Sequence, residues 1–229
     1  MINKECSSID EAVGTIGSGA SIMIGGFGTA GMPDDLVDGL IRRDVTNLTI
    51  ISNNAGNGET GVAALIKAGR VSKIICSFPR QADSHHFDSA WRAGTIELEL
   101  VPQGNLAARI DAAGSGLGGI FTPTGFGTSL AEGKEVRRID GKDYVLEMPI
   151  RADFALIKAY RGDRWGNLVY RKTARNFGPI MAMAACCTIA QVEEVVPLGV
   201  LDPENVVTPG IFVNRVVTTG SMQAGGAPQ

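Results

Sequence analysis

The chain has 229 residues, a formal net charge of −3 and a hydrophobic fraction of 44%, which is enough apolar material for one α/β domain with a sizeable core. The weakly acidic composition contains no block of lysine and arginine, so we expect no nucleic-acid partner. No apolar run has the length needed to cross a bilayer, so we expect no membrane partner either.

Strands and helices alternate through the first half of the chain. Ser8 and Glu11 fit a capping box that opens a short helix, and this helix is predicted to end near Gly17. Apolar runs and turn residues predict the other elements, which are strands at 22–24, 47–51, 71–76 and 95–101 and helices at 33–43, 61–68, 84–93 and 106–113. This alternation predicts a parallel sheet with helices on both faces.

The second half has a different pattern. Asp140 and Gly141 are typical of a hairpin turn between segments 134–139 and 144–147. Further strands are predicted at 153–159, 168–170, 188–196 and 211–217, with a helix at 179–184. The predicted fold class is therefore α/β, with a mostly parallel sheet flanked by helices and a more antiparallel second half. We expect a single domain over residues 1–220 and a disordered tail at 221–229.

A glycine-rich loop, Gly25–Gly31, follows the first predicted core strand and precedes Pro33. Glycines let a ligand approach the backbone, and the start of a helix offers free N–H groups, so the loop could hold an anion or the pantetheine-phosphate arm of a cofactor. Residues 26–31 fit G-x-G-x-x-G, but the next predicted strand is followed by Ser52, Asn53 and Asn54 rather than by an acid, which argues against a dinucleotide site. A tight strand-to-helix turn that simply requires glycine is the alternative.

Several longer segments resemble one family. They are G-G-F-G-T-A-G-M-P at 25–33, S-N-N-A-G at 52–56, P-Q-G-N-L-A at 102–107, F-T-P-T-G-F-G-T at 121–128 and R-K-T-A-R-N-F at 171–177. In this order they resemble the class I CoA-transferases, and more narrowly the A (alpha) subunit of the 3-oxoacid CoA-transferases. The resemblance implies the NagB/RpiA-like fold of that family. Ser18 departs from the usual Asp or Asn at the start of the glycine-loop signature, and serine suits the turn expected there.

The family resemblance implies a reaction and a partner. A CoA thioester is the substrate, no cofactor is permanently bound, and a glutamate is converted into a glutamyl-CoA thioester before the second acid takes the CoA. The family carries this glutamate on its B subunit, and no segment here matches that motif. We therefore expect no catalytic residue on this chain and a hetero-oligomer with the B subunit, most simply A2B2.

The same resemblance assigns supporting roles to residues of this chain. Asn53 and Gln103 match positions that line the acyl pocket and support the oxyanion, where amide donors stabilise developing negative charge without adding a charge of their own. Residues that would contact CoA are Gly25, Gly26, Phe27, Gly28, Thr29, Ala30 and Gly31. For Asn53 and Asn54 the alternative is a loop that satisfies its own backbone through Asx turns, and for Gln103 it is a capping residue before the helix at Leu106.

The accepted acid is predicted from two short stretches. Residues 165–170 and Gly178 look closest to the 3-oxoadipate enzymes of aromatic-compound degradation, whereas many relatives acting on acetoacetate have Asn in place of Gly178. The implied reaction moves CoA from succinyl-CoA to 3-oxoadipate, a step of the β-ketoadipate pathway. The alternatives are acetoacetate or another 3-oxoacid, or a module of the same fold that senses CoA or a sugar phosphate without chemistry.

Other reactive residues have simpler interpretations. Glu59 is the nearest local candidate for a nucleophile, but it precedes a predicted helix and is expected to stabilise the helix dipole. His85 and His86 are adjacent, so we expect their side chains to diverge on a surface helix and to bind no metal. A basic cluster of Arg171, Lys172 and Arg175 could hold a carboxylate or phosphate, or could pair with acids of a partner subunit, and we favour the interface.

Cysteine usage and the N-terminal residues predict a compartment. The four cysteines include no C-x-x-C pair, and the adjacent Cys186 and Cys187 cannot chelate one ion from a strand. The N-terminal residues lack the apolar core of a signal peptide. We therefore expect reduced thiols, no structural zinc site and a cytoplasmic location.

Overall fold

The computed structural model describes residues 2–219, which form eleven strands and six α-helices. The helices are α1 (Ile9–Val13), α2 (Asp34–Arg42), α3 (Gly61–Lys67), α4 (His85–Arg92), α5 (Gln103–Gly114) and α6 (Gly178–Ala184). The strands are β1 (Ser21–Ile24), β2 (Leu48–Ile51), β3 (Val71–Cys76), β4 (Glu97–Leu100), β5 (Ile120–Thr122), β6 (Val136–Ile139), β7 (Lys142–Glu147), β8 (Ala152–Asp163), β9 (Leu168–Val169), β10 (Ala185–Val196) and β11 (Arg215–Thr218).

The main sheet has the strand order β11-β10-β8-β1-β2-β3-β4, and all these neighbours are parallel. β9 belongs to the same sheet but lies outside this order, where it pairs antiparallel with β8. A second sheet, in the order β5-β7-β6, is antiparallel and contains the predicted hairpin with Asp140 and Gly141 at its turn. The predicted α/β class is confirmed, and the antiparallel pairs of named strands within residues 2–219 all lie in the second half of the chain.

Side chains that alternate along the parallel strands pack into two apolar cores, one on each face of the sheet. On β1, Ile22 and Ile24 belong to the core that contains α1, α2, α3 and α4, whereas Met23 belongs to the core that contains α5 and α6. Because both faces of the sheet are covered at its centre, the central strands β1 and β2 are buried on both sides. The sheet is thus a rigid base whose strand ends can carry a site.

Element boundaries differ from the predictions in a few places. α5 begins at Gln103, directly after Pro102, so Gln103 is a helical residue and not a cap before a helix at Leu106. The segment predicted as one strand at 211–217 begins as a 3-10 turn, Gly210–Phe212, after Pro209, and only then becomes β11. β5 was not predicted, since three residues carry too little periodic signal.

β8 is longer than the predicted strand at 153–159. It continues to Asp163 because ten of its residues pair with β10 and its last residues also pair with β9. Arg161 on β8 forms a 2.8 Å ion pair with Glu194 on β10, which accommodates polar residues in this stretch.

Two further expectations concern the predicted tail and membrane-spanning segments. The predicted tail at 221–229 lies outside the described residues. Within residues 2–219, no helix has both the length and the apolar character needed to cross a membrane.

Candidate functional site

The carboxyl ends of four adjacent parallel strands meet at one edge of the main sheet. The glycine loop follows β1, Asn53 follows β2, Ser77 follows β3 and Gln103 follows β4. In open α/β sheets, ligands bind in the crevice outside such ends. A cleft of about 420 Å³ lies here, lined by Phe27, Gly28, Asn53, Ser77, Phe78, Gln81 and Gln103. Residues predicted from distant parts of the sequence therefore meet in one place.

Asn53 is the most constrained polar side chain of this cleft, since only 4% of it is exposed. Gln103 Nε2 donates to its Oδ1 at 2.8 Å, and Ser77 Oγ lies 2.8 Å from the same oxygen. Its backbone carbonyl accepts from the N–H groups of Ser77 and Phe78 at 3.1 Å each. Because Oδ1 of the side chain is already engaged by Gln103 and Ser77, the side-chain amide nitrogen of Asn53 is the end available as a donor to a ligand.

Ser77 was not among the residues predicted for the site. It is half-buried, and its hydroxyl also lies 2.9 Å from the Asn53 carbonyl. A lone serine after a predicted strand carries no signal of its own. Only the parallel pairing of β2 with β3 brings it beside Asn53.

The glycine loop has a buried part and an exposed part. Gly25, Gly26 and Gly31 are buried, whereas the Phe27 side chain is 52% exposed. Phe27 and Ala30 exchange backbone hydrogen bonds of 3.0 and 3.2 Å, which close the exposed tip into a tight turn. Phe27 and Gly28 face the cleft, and Gly28 and Thr29 face a smaller neighbouring cleft of about 100 Å³.

Asn176 anchors this loop from a distant segment. Its Oδ1 accepts from Gly26 N at 3.1 Å, and its Nδ2 donates to Ala30 O at 2.9 Å. Gly31 has φ +77°, and a Cβ there would collide with the Ala174 carbonyl, so glycine is required for this approach. In the sequence, Asn176 is marked only by its place in the R-K-T-A-R-N-F segment, and that resemblance is the signal that could have identified it.

Asn54 forms the Asx turn that was the alternative interpretation for Asn53 and Asn54. Its Oδ1 accepts from Gly56 N at 2.8 Å, which is an Asx turn, and the residue is 2% exposed. Its Nδ2 is buried without a hydrogen-bond partner among residues 2–219, and the residue lines the smaller cleft together with Asp34. Burial raises the pKa of the Asp34 carboxyl above its usual range.

Glu59 lies on the exposed loop before α3 and forms a 2.6 Å ion pair with Lys67. Hydrogen bonds from Lys67 and His86 lower the pKa of Glu59 to about 2, so it is a carboxylate at neutral pH. It lines neither of the two clefts described above.

The expectation that His85 and His86 diverge is wrong. Their ring centroids lie 3.9 Å apart, and both rings turn toward Glu59. His85 is the first residue of α4, and its ring also contacts Asp83 in the preceding turn, so the regular spacing of a helix interior does not apply.

The basic cluster Arg171, Lys172 and Arg175 is solvent-exposed around a 3-10 turn. The Arg171 guanidinium lies 5.4 Å from the centroid of the Tyr160 ring, within the range of a cation–π contact. None of the three side chains belongs to the lining of the larger cleft.

Comparisons with known proteins agree with the fold and with the motifs. Residues 6–219 match the family model described as Coenzyme A transferase. The chain is 70% identical over 228 residues to the A subunit of 3-oxoadipate CoA-transferase from Acinetobacter baylyi, with 100% of both chains covered. It is 43% identical over 215 residues to the A subunit of succinyl-CoA:3-ketoacid coenzyme A transferase from Helicobacter pylori, covering 94% of this chain and 92% of that one.

A solved structure shares the fold at lower identity. The acyl-CoA transferase YdiF of Escherichia coli O157:H7, solved as a thioester complex with CoA, superposes with a TM-score of 0.81 at 24% identity. The superposition covers 99% of this chain and 49% of that one, so the chain spans about half the length of that transferase.

Proposed function

The chain belongs to the coenzyme A transferase family, and from this membership we propose that it is the A subunit of an enzyme that moves CoA from succinyl-CoA to 3-oxoadipate. The observation that carries the proposal is the 70% identity, over the full length of both chains, to an A subunit whose name includes 3-oxoadipate. The same inference gives a B subunit as partner in an A2B2 assembly, a cytoplasmic location and a step of the β-ketoadipate pathway.

The chemistry divides between the two subunits. A glutamate carboxylate of the B subunit attacks the thioester carbonyl as nucleophile, which forms a mixed anhydride and releases the CoA thiolate. The thiolate then attacks the glutamyl carbonyl, so that succinate leaves and a glutamyl-CoA thioester remains. The carboxylate of 3-oxoadipate attacks this thioester in turn, and the released CoA thiolate then attacks the 3-oxoadipyl carbonyl of the new anhydride, which frees the glutamate. Each step places negative charge on a carbonyl oxygen, and a fixed neutral donor stabilises that charge without competing with the attacking carboxylate.

This chain would supply the donor and the surface. Asn53 presents its amide nitrogen because Gln103 and Ser77 hold its oxygen, so the donor is oriented before substrate binds. The glycine loop, Gly25–Gly31, offers backbone without Cβ atoms beside Phe27, and Asn176 holds that loop in place. We propose that the thioester lies between these two elements, in the cleft at the sheet edge.

Residues 1–220 are proposed to act as one domain. The N-terminal residues support this, because Cys6 N donates to Val216 O and Val216 N donates to Lys4 O, each at 2.8 Å. The exposed Arg171, Lys172 and Arg175 remain our candidates for contacts with acids of the partner subunit.

Substrate assignment is tested by co-producing the chain with its B subunit, followed by measurement of transfer from succinyl-CoA. We expect kcat/KM for 3-oxoadipate to exceed that for acetoacetate by at least about tenfold, or about 1.4 kcal/mol, because the acids differ by a carboxylate-bearing arm. Equal or reversed preference would assign the chain to another 3-oxoacid. A complex that binds CoA but transfers none would favour the sensing alternative.

The location of the nucleophile is tested separately. The complex is incubated with succinyl-CoA, reduced with borohydride and digested for mass spectrometry. We expect the reduced glutamate on the partner subunit, with none on this chain. An adduct at Glu59 or at any other acid of this chain would overturn the proposed division of labour.

Gly178 provides a third test, of packing rather than chemistry. A Cβ at Gly178 would lie 2.9 Å from Tyr170 Cε1, and the Tyr170 hydroxyl is fixed by a 2.8 Å hydrogen bond with Thr208. We expect Gly178→Asn to cost about 1–3 kcal/mol of stability by overpacking. Gly118→Asn is the control, since nothing lies within 4 Å of a Cβ there. Equal melting temperatures of the two variants would contradict this expectation.

A further inference from the structure

Three side chains converge on the surface beside α4. Glu59 Oε1 lies 3.0 Å from His86 Nε2 and 3.3 Å from His85 Nε2, and the candidate ligand atoms all lie within 4.8 Å of one another. In a tetrahedral zinc site, ligand atoms at normal bond lengths are roughly 3.3–3.5 Å apart. The two histidines are the only ones in the sequence, and the fold brings both to one carboxylate.

Outer partners support this arrangement. His85 Nδ1 lies 2.7 Å from Asp83 Oδ1, which leaves Nε2 as the nitrogen facing Glu59. Metal-binding histidines characteristically use their second nitrogen in this way, toward a carboxylate. The second oxygen of Glu59 accepts from Lys67 at 2.6 Å, so Oε1 remains for an ion.

The backbone beneath the cluster is also fixed. Gly58 N donates to Asp83 O at 2.8 Å, and Asp83 N donates to Asn57 Oδ1 at 2.8 Å. These bonds join the loop before α3, which carries Glu59, to the turn that leads into α4, whose first two residues are His85 and His86. The three candidate ligand side chains are therefore held near one another without an ion.

We propose that Glu59, His85 and His86 form a binding site for a divalent transition-metal ion, with zinc as the ion it best fits. Two imidazoles and one carboxylate suit zinc, whereas magnesium and calcium prefer all-oxygen ligands. Three protein ligands leave a coordination position open to solvent. Because Asn57 and Thr60 line the smaller cleft, a bound ion would clamp one wall of that cleft to α4.

Binding is tested by titrating Zn²⁺ into the untagged complex of the chain with its B subunit, using calorimetry and equilibrium dialysis. We expect the native complex to bind about one more zinc ion per copy of this chain than complexes in which a proposed ligand has been replaced. Glu59→Gln, His85→Asn and His86→Asn should each weaken binding by at least about 10–100-fold. Glu59 and His85 are exposed, so these two variants should fold normally even if the His86 variant does not.

Two controls separate this site from other metal ligands. Lys67→Met removes a neighbouring cation and should leave binding equal or tighter. Cys186→Ser removes the exposed thiol and should leave it unchanged. Co²⁺ bound at the site should show a visible spectrum without a thiolate charge-transfer band. Unchanged zinc affinity in the three ligand variants, or no binding by the native complex at about 100 µM zinc, would overturn the proposal.

Discussion

Replacing Asn53 with aspartate is expected to lower kcat for CoA transfer by roughly 10²–10³-fold, or about 2.7–4 kcal/mol, with a small change in KM. Aspartate keeps the shape of the side chain and the oxygen that accepts from Gln103 and Ser77. It replaces the donating nitrogen with a charged oxygen, which opposes the developing oxyanion. The measurement is steady-state transfer from succinyl-CoA by the two-subunit complex.

The control for this variant is Asn205→Asp, a substitution at an exposed asparagine whose side chain contacts Asp202. It should leave both kinetic constants unchanged. Ser77→Ala tests the orientation of Asn53 and should cost less than Asn53→Asp, about tenfold in kcat, because Gln103 still holds the amide oxygen. If Asn53→Asp retained more than about a third of native kcat, the donor role would be rejected.

Replacing Gly56 with alanine is expected to lower the free energy of unfolding by about 3 kcal/mol or more. Gly56 has φ +84°, and a Cβ there would overlap the backbone nitrogen of Ala63 and lie 2.8 Å from its Cα. Because α3 cannot move away from the loop without losing its packing, both segments must distort. The melting temperature of the assembly should fall by roughly 6–12 °C.

Gly58→Ala is the matched control, two residues along the same loop. Gly58 also has positive φ, at +65°, but its added Cβ would meet only Asp83 Oδ2 at an ordinary 3.6 Å. This variant carries the backbone cost alone, about 1 kcal/mol. Similar melting temperatures for the two variants would show that backbone strain, and not the approach of α3, explains the requirement for glycine at residue 56.

The alternating half of the fold could be predicted because its apolar runs are long and bounded by turn residues. β3 was predicted with its observed limits, and β2 to within one residue. β5 and the 3-10 turn at Gly210–Phe212 could not, because short segments depend on tertiary pairing more than on local pattern. The length of β8 likewise depends on its two partners rather than on its own residues.

The candidate site could be predicted only in part. The glycine loop, Asn53 and Gln103 were identified from a family resemblance, and the strand order then explains why they are neighbours. Ser77 and Asn176 act through contacts with residues 24 and 150 positions away in sequence, which no local pattern contains. The convergence of His85 and His86 was missed because helix geometry was applied to the first residue of a helix.

The pairing of residues 4–6 with Val216 has a consequence for biosynthesis. Residues 4–6 cannot reach their place until β11 has left the ribosome, and β1 lacks its β8 neighbour until residues beyond 152 have emerged. The nascent N-terminal half therefore waits with an open, apolar strand edge, a state that invites aggregation. Chaperone dependence during expression, and slow refolding of the denatured chain, are the expected signs of this delay.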